Sequence, residues 1–275
     1  MNPDTSSGEH RTRQPGEAWY LTDAGPAFAR MVVVLGSFVA LGMGSILLWY
    51  PLDWSRFVLP SIIATLALVI VLGVRLVLVN RAGSPVRLTI PTVVTLGRGA
   101  LVAVFIGVVL GAGDLRSLSG GVVSLSGQTR WLLGGIFVIA GLLDAVDGTL
   151  ARRLDAVSEL GSRIDAEVDG SLTLIGATTV VLIGSASPLF LLVGLARYLF
   201  VAGLLLIRSL GQATTPLHPN RFRAPLSAVV LVAIVLALLP PTPMVLTRWV
   251  TLLVAIPFLL NFAWDWRNCA NFRPK

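Results

Sequence analysis

The chain has 275 residues, 55% of them hydrophobic and only 13% charged, with a mean hydropathy of +0.83. Soluble domains carry about 25% charged residues, so this composition excludes an ordinary globular domain. The net charge of +7 rests on arginines and one lysine, Lys275; in so apolar a chain it reads as a topology signal, and no nucleic-acid partner is expected. The single cysteine, Cys269, excludes an internal disulfide and a cysteine-rich metal site.

Residues 1–29 are rich in Ser, Thr, Gly, Pro and charge and lack an apolar period, so they read as a flexible tail. The apolar run after Arg30 is too long for a signal-peptide core and ends in no small-x-small cleavage site, so it is expected to persist as a helix. Met31 to Leu52 and Gly170 to Ala196 contain no charged side chain at all. Transmembrane helices are expected at about 31–50, 57–79, 90–112, 131–150, 165–184, 188–207, 224–240 and 246–264, each near the roughly 20 residues that cross a bilayer. The fold class is therefore all-α, a polytopic integral membrane protein of about eight spans. Tyr50-Pro51 with Asp53, the Gly- and Ser-rich stretch 111–127, Ser185-Ala186-Ser187-Pro188 and Pro240-Pro241-Thr242-Pro243 punctuate them.

With both termini cytoplasmic, 14 Lys and Arg residues fall on the inner side; Arg56, Arg116, Arg130 and Arg248 fall outside, and Arg75, Arg98 and Arg197 lie within spans. That asymmetry points to cytoplasmic termini. Trp49, Trp54, Trp131, Trp249, Trp264 and Trp266 fall near span ends, as interfacial anchors do. Small residues recur at four-residue spacing, as Gly36, Ala40 and Gly44 and as Gly107 with Gly111; ordinary packing inside the molecule is the expected use. No convincing internal repeat is visible, which weakens an inverted-repeat transporter.

Four of the 14 acidic residues fall in one short stretch, GLLDAVDGTLARRLDAVSELGSRIDAEVDGSL. On a helix, residues three or four apart share a face, so Asp144 pairs with Asp147 and Asp165 with Asp169. The first pair ends a descending helix and the second begins the next, so all four carboxylates can converge near the cytoplasmic surface. An aspartate near mid-bilayer costs about 2.5–3.5 kcal/mol, so such a group needs cations. Hard oxygen donors without His or Cys favour Mg²⁺, Mn²⁺ or Ca²⁺, and a pair of such ions suits phosphoryl-type transfer. The alternative is a set of loop carboxylates paired with Arg152, Arg153 and Arg163. Asp155, Glu159 and Glu167 read as solvated acids, Glu167 lying about 200° from Asp165.

The spacing D-x2-D-G-x2-A-R-x8-G-x3-D-x3-D, met by Asp144, Asp147, Gly148, Ala151, Arg152, Gly161, Asp165 and Asp169, resembles the signature of the CDP-alcohol phosphatidyltransferases. Upstream, Pro91-Thr92-Val93-Val94-Thr95-Leu96-Gly97-Arg98 is similar to the P-N-x-x-T-x-x-R start of that family's first core helix, with Thr92 where asparagine is usual. The resemblance implies a six-helix catalytic core with a short C-terminal tail over 85–275, preceded by two extra N-terminal helices and a linker over 30–84. It further implies a homodimer and transfer from a CDP-activated lipid such as CDP-diacylglycerol to an alcohol acceptor, with release of CMP.

Under that resemblance Asp144, Asp147, Asp165 and Asp169 hold two divalent cations, Mg²⁺ or Mn²⁺, and Asp169 is the candidate general base. Gly148, Ala151, Arg152, Gly161, Thr95 and Arg98 are the candidate CDP-lipid contacts; the small residues serve equally well for helix packing, and Arg152 can pair with a phosphate or an aspartate. Arg98 lies about 12 Å along its helix and is expected to face the polar site. Arg197, Arg208, Arg221 and Arg223, with His218, form a candidate basic pocket for a phosphorylated acceptor such as glycerol 3-phosphate or inositol phosphate, or merely follow the positive-inside rule. The expected setting is a prokaryotic cytoplasmic membrane with the active site facing the cytoplasm. An ion-coupled transporter using buried aspartates and a membrane prenyltransferase are the competing classes.

Overall fold

The computed structural model describes residues 24–50, 53–82, 88–113, 122–154, 158–211 and 220–270. Among these residues the chain is helical without strands: α1 (Ala24–Trp49), α2 (Trp54–Arg81), α3 (Ile90–Ala112), α4 (Gly127–Leu154), α5 (Glu159–Leu182), α6 (Leu191–Ser209), α7 (Arg223–Leu238) and α8 (Met244–Ala270), with a short 3₁₀ turn at Pro188–Phe190. Six of the eight, all but α5 and α7, are long and apolar enough to cross a membrane. Helix α5 fails that measure because charged side chains crowd its first three turns, and α7 has only 16 residues.

The helix starts follow from local chemistry. Asp53 accepts from the amide of Ser55 ahead of α2, Thr89 caps α3 ahead of Pro91, and Ser158 Oγ accepts from the Gly161 amide, 3.0 Å away, at the start of α5. At the other end of α5 the chain turns through Gly184, whose φ of 74° is the left-handed conformation that glycine adopts without strain.

Several boundaries differ from the sequence expectation, among them the start of α5, which lies at Glu159 and not near 165. Helix α1 begins at Ala24, inside the stretch read as a tail, so only residues 1–23 of that tail lie outside the described region. Helix α4 runs on to Leu154, because nothing in Leu150 to Leu154 breaks a helix; Gly148, Ala151 and Arg152 therefore sit on α4 and not in a turn after it. Helix α8 likewise continues past 264 to Ala270.

Helix α3 is the central element. It packs against α1, α2, α4 and α5, and its side chains are buried nearly all round from Pro91 to Val109. Glycines make this possible: a Cβ on Gly107 would meet Phe57 O at 2.8 Å and one on Gly111 would meet Phe57 Cα at 3.0 Å, so α2 rests directly on the α3 backbone. A Cβ at Gly36 or Gly44 would touch nothing among the described residues, so these two, unlike Gly107 and Gly111, serve no close contact there, whereas one at Gly42 would meet Val104 Cγ2 at 3.1 Å.

Around α3 the interior divides into two apolar clusters. One joins α1 and α2 to α3 and α5 through Met31, Leu35, Leu72, Leu96, Ile164 and Val168. The other joins α3, α4, α5 and α7 through residues such as Phe105, Phe137 and Ile234. The outer faces stay apolar, with Ile70, Leu199 and Leu253 all more than half exposed or at half, while Thr92, Thr95 and Arg98 are buried, the arrangement a lipid solvent demands. Two arginines counted as outer-loop charges tie helix ends together: Arg130 donates to the carbonyls of Ala237, Leu238 and Leu239 at the end of α7, and Arg248 donates to Gly184 O at 2.9 Å. Guanidinium donors satisfy carbonyls that a terminating helix leaves without partners.

Candidate active site

Helices α3, α4 and α5 bring their polar residues to one end of the bundle. Arg98 comes from the third turn of α3, and at 1% exposure its long side chain is wholly interior. Its guanidinium reaches both acidic helices: Nη1 lies 2.9 Å from Asp144 Oδ1 of α4 and donates to Asp165 Oδ1 of α5 at 2.7 Å, while Nη2 donates to Asp169 Oδ1. One carboxylate oxygen from each of Asp144, Asp165 and Asp169 lies within 4.8 Å of the others, a set that can hold a metal ion. The side chains of these three acids are 51%, 38% and 49% exposed, so the acids form an accessible layer over a buried arginine floor.

Asp147 behaves differently. It is 6% exposed and accepts from Thr95 Oγ1 at 2.7 Å, which ties α4 to α3 one helical turn below Asp144. Thr95 Oγ1 also lies 3.1 Å from Pro91 O, so one hydroxyl bridges backbone and acid. Among the described residues only Arg98 is in ion-pair contact with these acids, so the four carboxylates carry more negative charge than that guanidinium compensates at a low-dielectric boundary. Oxygen-only donors, close spacing and this charge deficit all fit a divalent cation.

Asp144, Asp169 and Arg98 line a cavity of about 640 Å³ bounded by α6, α7 and α8. Of the arginines expected around an acceptor, Arg197 and Arg223 reach this wall, whereas Arg208 and Arg221 are exposed and outside its lining. Arg221 instead lies over the Phe222 ring, 5.0 Å from its centroid. Arg223 is held by Asp265 of α8 at 3.0 Å, and Asn220 donates to both Asn261, at 2.7 Å, and Asp265, at 3.1 Å. Asn220, Asn261 and Asp265 were not singled out in the sequence; the readable signal was an amide and a carboxylate one turn apart inside the apolar run of α8.

Gly161 does not face the cavity. A Cβ there would meet Thr92 Oγ1 at 2.9 Å, so its small size lets the start of α5 approach the start of α3. Gly148 is half-buried on α4; the side chains of Ala151 and Arg152, together with His218, lie outside the described residues.

Glu167 corrects the sequence reading. Its angle from Asp165 does point it away from the acidic cluster, but not to water: it is 8% exposed and accepts from Arg75 of α2 at 2.5 Å and from Arg197 of α6 at 2.7 Å. Helix α2 covers the face of α5 that periodicity alone assigned to solvent. Replacing Glu167 with Gln leaves two guanidiniums around a neutral amide, and a loss of about 1–3 kcal/mol is expected from the unpaired groups. A thermal melt in which Glu167→Gln matches the wild type would disprove the buried pairing.

A cleft between helices whose lining combines acids, a buried arginine and further arginines can take a cation together with an anionic group. The family model described as CDP-alcohol phosphatidyltransferase matches residues 88–260, from the cap of α3 into α8. The match covers more than half of the chain, which therefore belongs to the CDP-alcohol phosphatidyltransferase family, as the spacing of its acids had suggested. No curated protein matches the chain at a significant level.

Proposed function

We propose that the chain transfers a phosphatidyl group from a CDP-activated lipid, CDP-diacylglycerol, to the hydroxyl of an alcohol acceptor, releasing CMP. The observation that carries this reading is the convergence of Asp144, Asp165 and Asp169, of which Asp144 and Asp169 line a 640 Å³ cavity together with Arg197 and Arg223. Two divalent cations, Mg²⁺ or Mn²⁺, held by the three acids and Asp147, would screen the diphosphate and make its lipid-side phosphorus electrophilic.

The residues of the chain do the rest. The acceptor oxygen forms its bond to the lipid-side phosphorus as the bond to the CMP oxygen breaks, and Asp169 takes the hydroxyl proton. Thr95 fixes Asp147, Arg98 keeps the acidic side chains together against their own repulsion, and Gly148, Ala151 and Arg152 follow Asp147 on α4 as contacts for the nucleotide half of the donor. Arg197 and Arg223 orient a phosphorylated acceptor such as glycerol 3-phosphate or inositol phosphate by charge-assisted hydrogen bonds.

The positive-inside count supports a cytoplasmic site with cytoplasmic termini; the membrane proposed is a prokaryotic cytoplasmic membrane. A homodimer is the assembly expected from the family. Transporter and prenyltransferase readings account for buried acids but leave the Gly148, Ala151 and Arg152 spacing without a role.

The test supplies membranes containing the protein with labelled CDP-diacylglycerol, Mg²⁺ or Mn²⁺ and a panel of alcohols, with EDTA in a parallel arm. CMP and one new lipid are expected with a single acceptor, and neither with EDTA, since four carboxylates without metal repel a diphosphate. No CMP with any alcohol would overturn the transfer reaction, and undiminished CMP in EDTA would overturn the metal assignment.

A further inference from the structure

We propose that Arg75 and Glu167 are positioning residues through which the two N-terminal helices act on the cavity: together they hold Arg197 and set how much of its charge reaches an anionic substrate. The inference rests on the transferase reading of the cavity. Arg75 belongs to α2, outside the matched region 88–260, whereas Glu167 and Arg197 lie inside it.

The geometry is restrictive at each link. On α2, Leu72, Leu76 and Val79 are buried in the cluster shared with Leu96 and Val168, which seats Arg75 against α5 without freedom to swing away. Glu167 sits between Asp165 and Asp169 in sequence but on another face of α5, where its side chain is 11% exposed. Arg197 crosses α5 at Gly170, where a Cβ would lie 2.3 Å from Arg197 Cδ; any larger residue there would evict the arginine stem. Its side chain is 34% exposed and forms part of the cavity wall beside Asp169.

One carboxylate shared by two guanidiniums leaves a net charge of +1, and the partner open to the cavity is Arg197. Without Arg75, Glu167 would neutralise Arg197 alone and the wall would lose attraction for an anion, while the hydrogen bond that orients Arg197 would remain. The effect should therefore fall on binding and not on the chemical step. A Lys at 75 would restore the charge.

The test uses the full chain in lipid nanodiscs as wild type, Arg75→Gln, Arg75→Lys, Arg197→Gln and the double variant Arg75→Gln/Arg197→Gln. Kinetics are measured with CDP-diacylglycerol and whichever phosphorylated alcohol gives product. Arg75→Gln is expected to raise the acceptor KM about tenfold with kcat changed less than twofold, Arg75→Lys to recover most of the loss, and Arg75→Gln to add nothing once Arg197 is gone. In parallel, the rise in melting temperature on adding millimolar inorganic phosphate is read in the same proteins and should shrink in Arg75→Gln.

An unchanged acceptor KM, or equal losses in both Arg197 backgrounds, would make Arg75 a structural tie alone and overturn the inference. A wild type that forms no CMP but shows the Arg75-dependent phosphate shift would retire the transferase reading and keep the charge coupling. Absence of both signals would overturn the coupling as well.

Discussion

Asp144→Asn and Asp165→Asn, made singly, should each lower turnover by about 10²–10³ while leaving the melting temperature equal to or above that of the wild type. The two expectations have one cause. The cluster sets four carboxylates against one arginine, and the side chains of Asp144 and Asp165 are 51% and 38% exposed. Turning either into an amide removes a negative charge from a repulsive group and leaves a neutral hydrogen-bond acceptor for Arg98, so folding loses little. The same change removes a hard anionic ligand from a set whose oxygens lie within 4.8 Å of one another. Function and stability then move in opposite directions, as they do where a site holds like charges together for chemistry. Metal titrations of CMP release and thermal melts on the same preparations check this. A melting temperature that falls together with activity would show that these acids hold the fold instead of a metal.

Asp169→Asn should separate binding from chemistry. Asp169 lines the cavity with Arg197, and Arg98 Nη2 donates to its Oδ1, while no side-chain donor among the described residues is seen on its other oxygen. If it takes the acceptor proton, the variant should bind CDP-lipid nearly as the wild type does and lose about 10²–10⁴ in single-turnover rate, the usual contribution of a general base. An essential metal ligand would behave otherwise, with the metal requirement rising and donor affinity falling together. The CDP-lipid dissociation constant and single-turnover rate, each measured across a metal titration for Asp144→Asn and Asp169→Asn, distinguish the two. Parallel loss of donor binding in both variants would remove the proton-transfer role from Asp169.

Much of this protein was readable without coordinates. The eight runs expected to span correspond to eight helices, six of them long and apolar enough to cross a membrane, because a bilayer leaves a chain few other ways to satisfy its backbone. The pairing of Asp144 with Asp147 and of Asp165 with Asp169 followed from helical periodicity, and the spacing of the acids carried the family. Helix ends were less legible: α1 starts seven residues before the apolar run, where nothing in the local sequence forbids a helix.

What periodicity could not supply was the neighbour each face meets. Asp147 shares a face with Asp144, yet only the approach of α3 turns it to Thr95 instead of the acidic triad. Arg98 was expected at the polar site, but its place beneath three acids depends on α4 and α5 crossing α3 at the same level. Glu167 is the sharpest case. Its angle on α5 was right and its environment wrong, because the helix that covers it, α2, lies about 90 residues away in the chain. The membrane class, the helices and the family spacing of the acids were legible because each depends on local composition and periodicity. Which charges meet is set by how the helix backbones pack, and glycines at 107, 111, 161 and 170 are among those that let them come close.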